Sequence, residues 1–123
     1  MLKNNLYNVI SSTHNNGIIE AVLEIDKNSE IFKGHFPGQP VLPGACMLQI
    51  VKEILTMELN LKLKLKKASQ MKFLEVIDPV NTPLVKLSIT YKPDGEDGFN
   101  VTSKLLTGEI TCFKFQGMYV KIA

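Results

Sequence analysis

The sequence predicts an α+β fold, a curved antiparallel sheet wrapped around one buried helix. Three observations predict it. A single stretch, Gly44 to about Leu59, is apolar around most of a helical circumference, as a buried helix is and a surface helix is not. Two strand-like segments precede it and four follow. Turn signals rather than further helices separate those strands, which favours antiparallel neighbours packed against the helix as two layers.

The elements follow in order. Leu6–Thr13 and Ile18–Ile25 flank Asn15-Asn16-Gly17, and Asn-Gly tolerates the positive φ of a tight hairpin. In the second segment Ile19, Ala21, Leu23 and Ile25 alternate with Glu20, Val22 and Glu24, the period of a half-buried strand. Asp26–Phe32 reads as a loop or short helical turn. The helix carries Ala45, Cys46, Met47, Leu48, Ile50, Val51, Ile54, Leu55 and Met57, with a narrow polar stripe of Gln49, Lys52, Glu53 and Thr56 at i, i+3, i+4 and i+7. Strands are then expected at Leu61–Phe73, Leu84–Tyr91, Phe99–Leu106 and Ile110–Ile122, with turns at Asp94–Gly98 and Thr107-Gly108. Within Leu61–Lys67 leucines and lysines alternate, so the lysines form either a solvated face or a basic strip for an acidic partner.

At 123 residues, 45% hydrophobic and 21% charged, the chain is one globular domain, residues 1–123. No apolar run reaches the roughly 20 residues that cross a bilayer. The start Met1-Leu2-Lys3-Asn4-Asn5 has no signal-peptide core, so a cytoplasmic location is expected. The net charge is +2 and every basic residue is a lysine. Without arginine, bidentate reading of bases and phosphates has no agent, so nucleic acid is not an expected partner. Cys46 and Cys112 are far apart and read as reduced, buried thiols. Neither His14 nor His35 has a cluster of ligands around it, so no metal site is expected.

The densest chemical signal is His35-Phe36-Pro37-Gly38-Gln39-Pro40-Val41-Leu42-Pro43-Gly44, which runs into the helix. Imidazole moves protons near neutral pH. A helix start offers unpaired N–H groups and a positive dipole end. Together they suit chemistry beside a carbonyl. His14, next to a hairpin turn, is expected to be exposed and inert.

At these residues the chain resembles the 3-hydroxyacyl-acyl carrier protein dehydratases, members of the hotdog-fold superfamily. Their His-Phe-Pro-Gly-x-Pro-x-x-Pro-Gly pattern is filled by His35, Phe36, Pro37, Gly38, Pro40, Pro43 and Gly44. Lys72-Phe73, Val76 and Pro79 are similar to a second family segment, although its Gly-Asp is replaced by Val80-Asn81. The resemblance covers one hotdog subunit from end to end.

It implies a cofactor-free dehydration of a 3-hydroxyacyl thioester carried on the phosphopantetheine of acyl carrier protein, in fatty acid or related lipid and polyene synthesis. His35 is the implied base, and the N–H groups of Gly44 and Ala45 polarise the thioester carbonyl. Phe36, Val41, Leu42 and Met47 line the implied acyl or pantetheine tunnel, with plain core packing as the alternative. The family's helix acid works across a subunit seam, so a homodimer or higher homo-oligomer is implied.

That acid falls at Gln49, fourteen residues after His35. An amide has no proton to transfer but can hydrogen-bond and so hold the hydroxyl. One reading then has His35 working alone, assisted by water or Gln49. Glu53, one turn further on, is the candidate for a displaced acid; the alternatives are a surface carboxylate or a lysine pair. Two other functions stay open. One is a non-catalytic acyl-carrier-binding partner subunit. The other is a hotdog thioesterase, whose hydrolytic water would need an activating carboxylate.

Overall fold

Strand β1 (Tyr7–Asn15) turns into β2 (Ile18–Ile25) through Asn16 and Gly17, both at positive φ, 51° and 78°. Positive φ at both central residues matches the twist of the flanking strands, so the Asn-Gly hairpin forms as expected. The computed structural model describes residues 1–33 and 40–122. A short 3₁₀ turn (Glu30–Lys33) follows β2, then helix α1 (Gly44–Leu59) and strands β3 (Leu63–Phe73), β4 (Leu84–Asp94), β5 (Gly98–Thr107) and β6 (Ile110–Lys121). The expectations for His35 and Phe36 lie outside the described residues.

All six strands make one antiparallel sheet in the order β1-β2-β4-β5-β6-β3. Its inner face supplies Ile19, Leu23, Val85, Leu87, Ile89, Val101, Leu105 and Phe113, all buried. Against them lie Met47, Ile50, Val51, Ile54 and Leu55 of α1. Each aliphatic side chain so buried contributes about 1.5–3 kcal/mol, which is why α1 stays in the sheet's concavity. This is the hotdog arrangement.

Several details depart from the sequence expectation. The alternation of Leu61–Lys67 breaks at a register shift between Leu65 and Lys67, so Lys66 and Lys67 are exposed together. A second shift between Ala68 and Gln70 follows, and from Lys66 to Phe73 every side chain of this edge strand is exposed. Cys112 is buried as expected, but Cys46 is only half-buried, because it lies off the face of α1 that carries Ile50, Ile54 and Leu55. His14 is exposed yet engaged. Its Nε2 is 2.6 Å from the Tyr91 hydroxyl and its Nδ1 is 3.5 Å from Glu58, which ties the first hairpin to the end of α1.

Candidate functional site

Helix α1 starts without a side-chain cap. Pro43 is the N-cap residue, extended at φ −64° and ψ 147°, and its carbonyl accepts from the N–H of Cys46 at 3.0 Å and of Met47 at 3.2 Å. The Met47 bond is the first regular bond of the helix. Because Pro43 has no N–H, only three orphan donors exist, of which the Cys46 bond satisfies one. Among the described residues no backbone acceptor faces the N–H of Gly44 or Ala45. The first turn carries no acidic side chain to offset the dipole. Among the described residues, two donors and a positive helix end therefore remain available to a ligand oxygen.

The helix start borders, through Gly44, a groove of about 410 Å³ lined by Val41, Leu42, Gly44, Met47 and the segment Phe73–Val76. A hydrogen bond of 2.9 Å from Leu42 N–H to the Ile77 carbonyl holds the two sides together. The Phe73 ring lies so close to Gly44 that a Cβ there would sit 2.6 Å from the ring, so glycine allows the strand end to approach the helix start. Phe73, Leu74 and Val76 are 55%, 48% and 67% exposed, so the groove has a rim of neighbouring apolar side chains open to solvent. Of the expected tunnel residues, Val41, Leu42 and Met47 line this groove, together with Gly44; Ala45 is exposed beside it. The sequence reading missed Phe73, Leu74, Glu75 and Val76 as lining residues, although the Lys72-Phe73 segment was visible as a family feature.

Gln49 and Glu53 are elsewhere and do not line the groove. Glu53 is 4% exposed, neither a surface carboxylate nor a lysine partner. Its Oε2 accepts from Leu2 N–H at 2.8 Å and from Gln49 Nε2 at 3.0 Å. Its Oε1 accepts from the Tyr7 hydroxyl at 2.9 Å and Lys3 N–H at 3.0 Å. Among the described residues no cation pairs with it. Burial pushes the carboxyl's pKa up, but the donors of Leu2, Gln49, Tyr7 and Lys3 outweigh burial and hold it below its ordinary value. The same contact works in reverse on Tyr7, whose hydroxyl is pushed far above its usual range by burial and then by the Glu53 charge. Burial and the Glu53 charge likewise raise the Cys46 thiol, so this cysteine is a poor thiolate. Tyr7 as the fixed partner of a helix carboxylate carried no signal in the sequence.

Among the described residues no three His, Cys, Asp or Glu side chains are placed to hold a metal ion, and no helix is long and apolar enough to cross a membrane.

Comparison with known proteins places these features in context. Residues 11–116 match the ApeI-like family, described as ApeI dehydratase. The chain is 30% identical to the 3-hydroxyacyl-[acyl-carrier-protein] dehydratase FabZ of Rickettsia canadensis, an alignment spanning 82% of this chain and 85% of that protein. Among solved structures it is similar to the dehydratase heterocomplex ApeI:P from Xenorhabdus doucetiae, with a TM-score of 0.74 and 19% identity over 93% of this chain and 97% of that one. It is also similar to the PaaI protein of Escherichia coli, with a TM-score of 0.66 and 11% identity over 95% and 80% of the two chains. At those identities the structural matches speak for the hotdog fold alone.

Proposed function

From the premise that this chain belongs to the ApeI-like dehydratase family, we propose that it dehydrates a 3-hydroxyacyl thioester carried by acyl carrier protein to the trans-2-enoyl thioester. The observation that carries this reading is the uncapped start of α1 opening onto an apolar groove at the end of the His35–Gly44 motif. The groove takes the acyl or pantetheine chain. The N–H groups of Gly44 and Ala45 meet the thioester oxygen, where negative charge grows as the C2 proton leaves. Each such donor is worth about 10²–10³ in rate. His35 takes the C2 proton, the C3–O bond breaks, and the departing hydroxide takes that same proton from the His35 imidazolium, which forms water and returns His35 to its neutral form. The chemistry needs no metal or redox cofactor, because nothing is oxidised or reduced.

The site is composite in this reading. Gly44 and Met47 face the groove, whereas Gln49 and Glu53 project from a different face of α1 towards the N-terminal segment. A second copy of the chain, seated on the exposed rim of Phe73, Leu74 and Val76 and the open edge of β3, brings its Gln49 to the 3-hydroxyl. In this reading Glu53 is not the displaced acid. An ionised carboxylate that already accepts four hydrogen bonds has no proton to give.

That saturation also favours a second reading, in which a different hotdog subunit supplies the carboxylic acid and this chain is one half of a two-component dehydratase. The test is enoyl thioester formation from 3-hydroxyacyl-carrier protein by wild type and H35A, with thiol release followed in parallel. Enoyl product from wild type that falls at least about 10²-fold in H35A supports the dehydratase. Thiol release without enoyl product points to a thioesterase instead. Turnover that appears only with a partner subunit selects the two-component form.

A further inference from the structure

Glu53 fixes more than the N-terminus. Its oxygens can only accept, so its contact with Gln49 at 3.0 Å must use the amide nitrogen. The Gln49 amide therefore has one orientation: Nε2 turned back along the helix to Glu53, Oε1 turned away from it. Gln49 is half-buried, and among the described residues nothing donates to its Oε1. Glu53 in turn cannot swing aside to release the amide, because Tyr7 and the N–H groups of Leu2 and Lys3 hold both of its oxygens.

We infer that Glu53 is a positioning residue that makes Gln49 a hydrogen-bond acceptor, and that this acceptor selects 3-hydroxyacyl over 3-oxoacyl thioesters. The inference rests on the dehydratase reading, in which Gln49 meets the substituent at C3. A 3-hydroxyl has a proton to donate to Oε1 and binds. A 3-oxo group offers only lone pairs, and an acceptor set against an acceptor leaves both buried and unsatisfied. An amide free to rotate would accommodate either group by turning its N–H₂ towards the ketone. Immobilised by Glu53, it cannot. Discrimination through an unpaired buried polar group is larger than discrimination by shape. The arrangement thus gives Glu53, which never touches substrate, control over which oxidation state at C3 is accepted.

The experiment measures dissociation constants for 3-hydroxybutyryl and 3-oxobutyryl pantetheine thioesters in an H35A background, so that no ligand turns over. With Glu53 present, the hydroxy ligand should bind about 10-fold or more tightly than the oxo ligand. In E53Q the residue at 53 can accept or donate, the Gln49 amide is released, and the ratio should fall to about 3-fold or less, the oxo ligand gaining affinity as the hydroxy ligand loses it. Equal weakening of both ligands, with the ratio unchanged, would mean that Glu53 only supports the fold and would overturn the inference. If E53Q does not fold, the H35A ratio decides alone: a value near one overturns the inference while leaving the dehydratase reading standing. Failure of both ligands to bind H35A would overturn the two together.

Discussion

Two regions of one helix are built to opposite rules. Both oxygens of Glu53 are satisfied, the carboxylate is buried, and three separate pieces of chain converge on it: the N-terminal residues, β1 through Tyr7, and α1 through Gln49. Around Gly44, among the described residues, the backbone donors lack acceptors, the helix has no side-chain cap and large apolar side chains face outward. The first region is complete within a single chain. The second is unfinished among the described residues, and in the proposed reading a ligand and a second subunit complete it. A carboxylate in a dehydratase-family helix invites a catalytic reading, yet in the proposed reading the held Glu53 only positions Gln49, and the open region receives the thioester.

If that contrast is right, damage to the finished region should be costly for stability, and damage to the open one should not. The largest effect belongs to E53A. It leaves the buried Tyr7 hydroxyl and the half-buried N–H groups of Leu2 and Lys3 without an acceptor, and urea denaturation should show a loss of about 3–5 kcal/mol. Y7F removes one bond to a charged oxygen and should lose about 1.5–3 kcal/mol by the same assay. G44A should cost about 1 kcal/mol, since the Phe73 ring it strikes is half exposed and can swing outward. Its effect should instead appear as weakened thioester binding in the groove.

The pH dependence sharpens the same contrast. Glu53 has a folded-state pKa depressed below its ordinary value of 4.5, so its contribution is fully present above that pH and is lost as pH falls through the folded value. Tyr7 has a folded-state pKa raised above its ordinary 10.0, so stability falls as pH rises past 10. Removal of Glu53 should flatten the acid side of the stability profile, and Y7F should flatten the alkaline side. A profile unchanged in either variant would contradict the coupling of these groups.

Much of the fold could be read directly from the residues. The Asn16-Gly17 turn, the period of Ile19–Ile25 and the nearly all-apolar helix each have a local physical cause, and each formed as expected. The breaks in β3 escaped notice because a register shift depends on the partner strand and not on the strand's own alternation. The groove was half legible. Val41, Leu42, Gly44 and Met47 are adjacent to the motif, whereas Phe73–Val76 reach it only through the pairing of β3 with β6 and the bond from Leu42 to Ile77. The environment of Glu53 was not legible at all. Its spacing from Gln49 placed both on one helix face, but nothing in the sequence says that residues about fifty positions earlier fold over that face. Long-range hydrogen bonds leave no local pattern.

The most direct test of this division between held and open chemistry is the titration of the Glu53 carboxyl by carbon NMR, with E53Q used to assign the resonance. The account predicts an ionised side chain at pH 7 and a midpoint below the ordinary 4.5, with the Tyr7 and Leu2 signals shifting at the same midpoint. A Glu53 that keeps its proton at pH 7 would contradict it and return this residue to candidacy as the acid of the reaction.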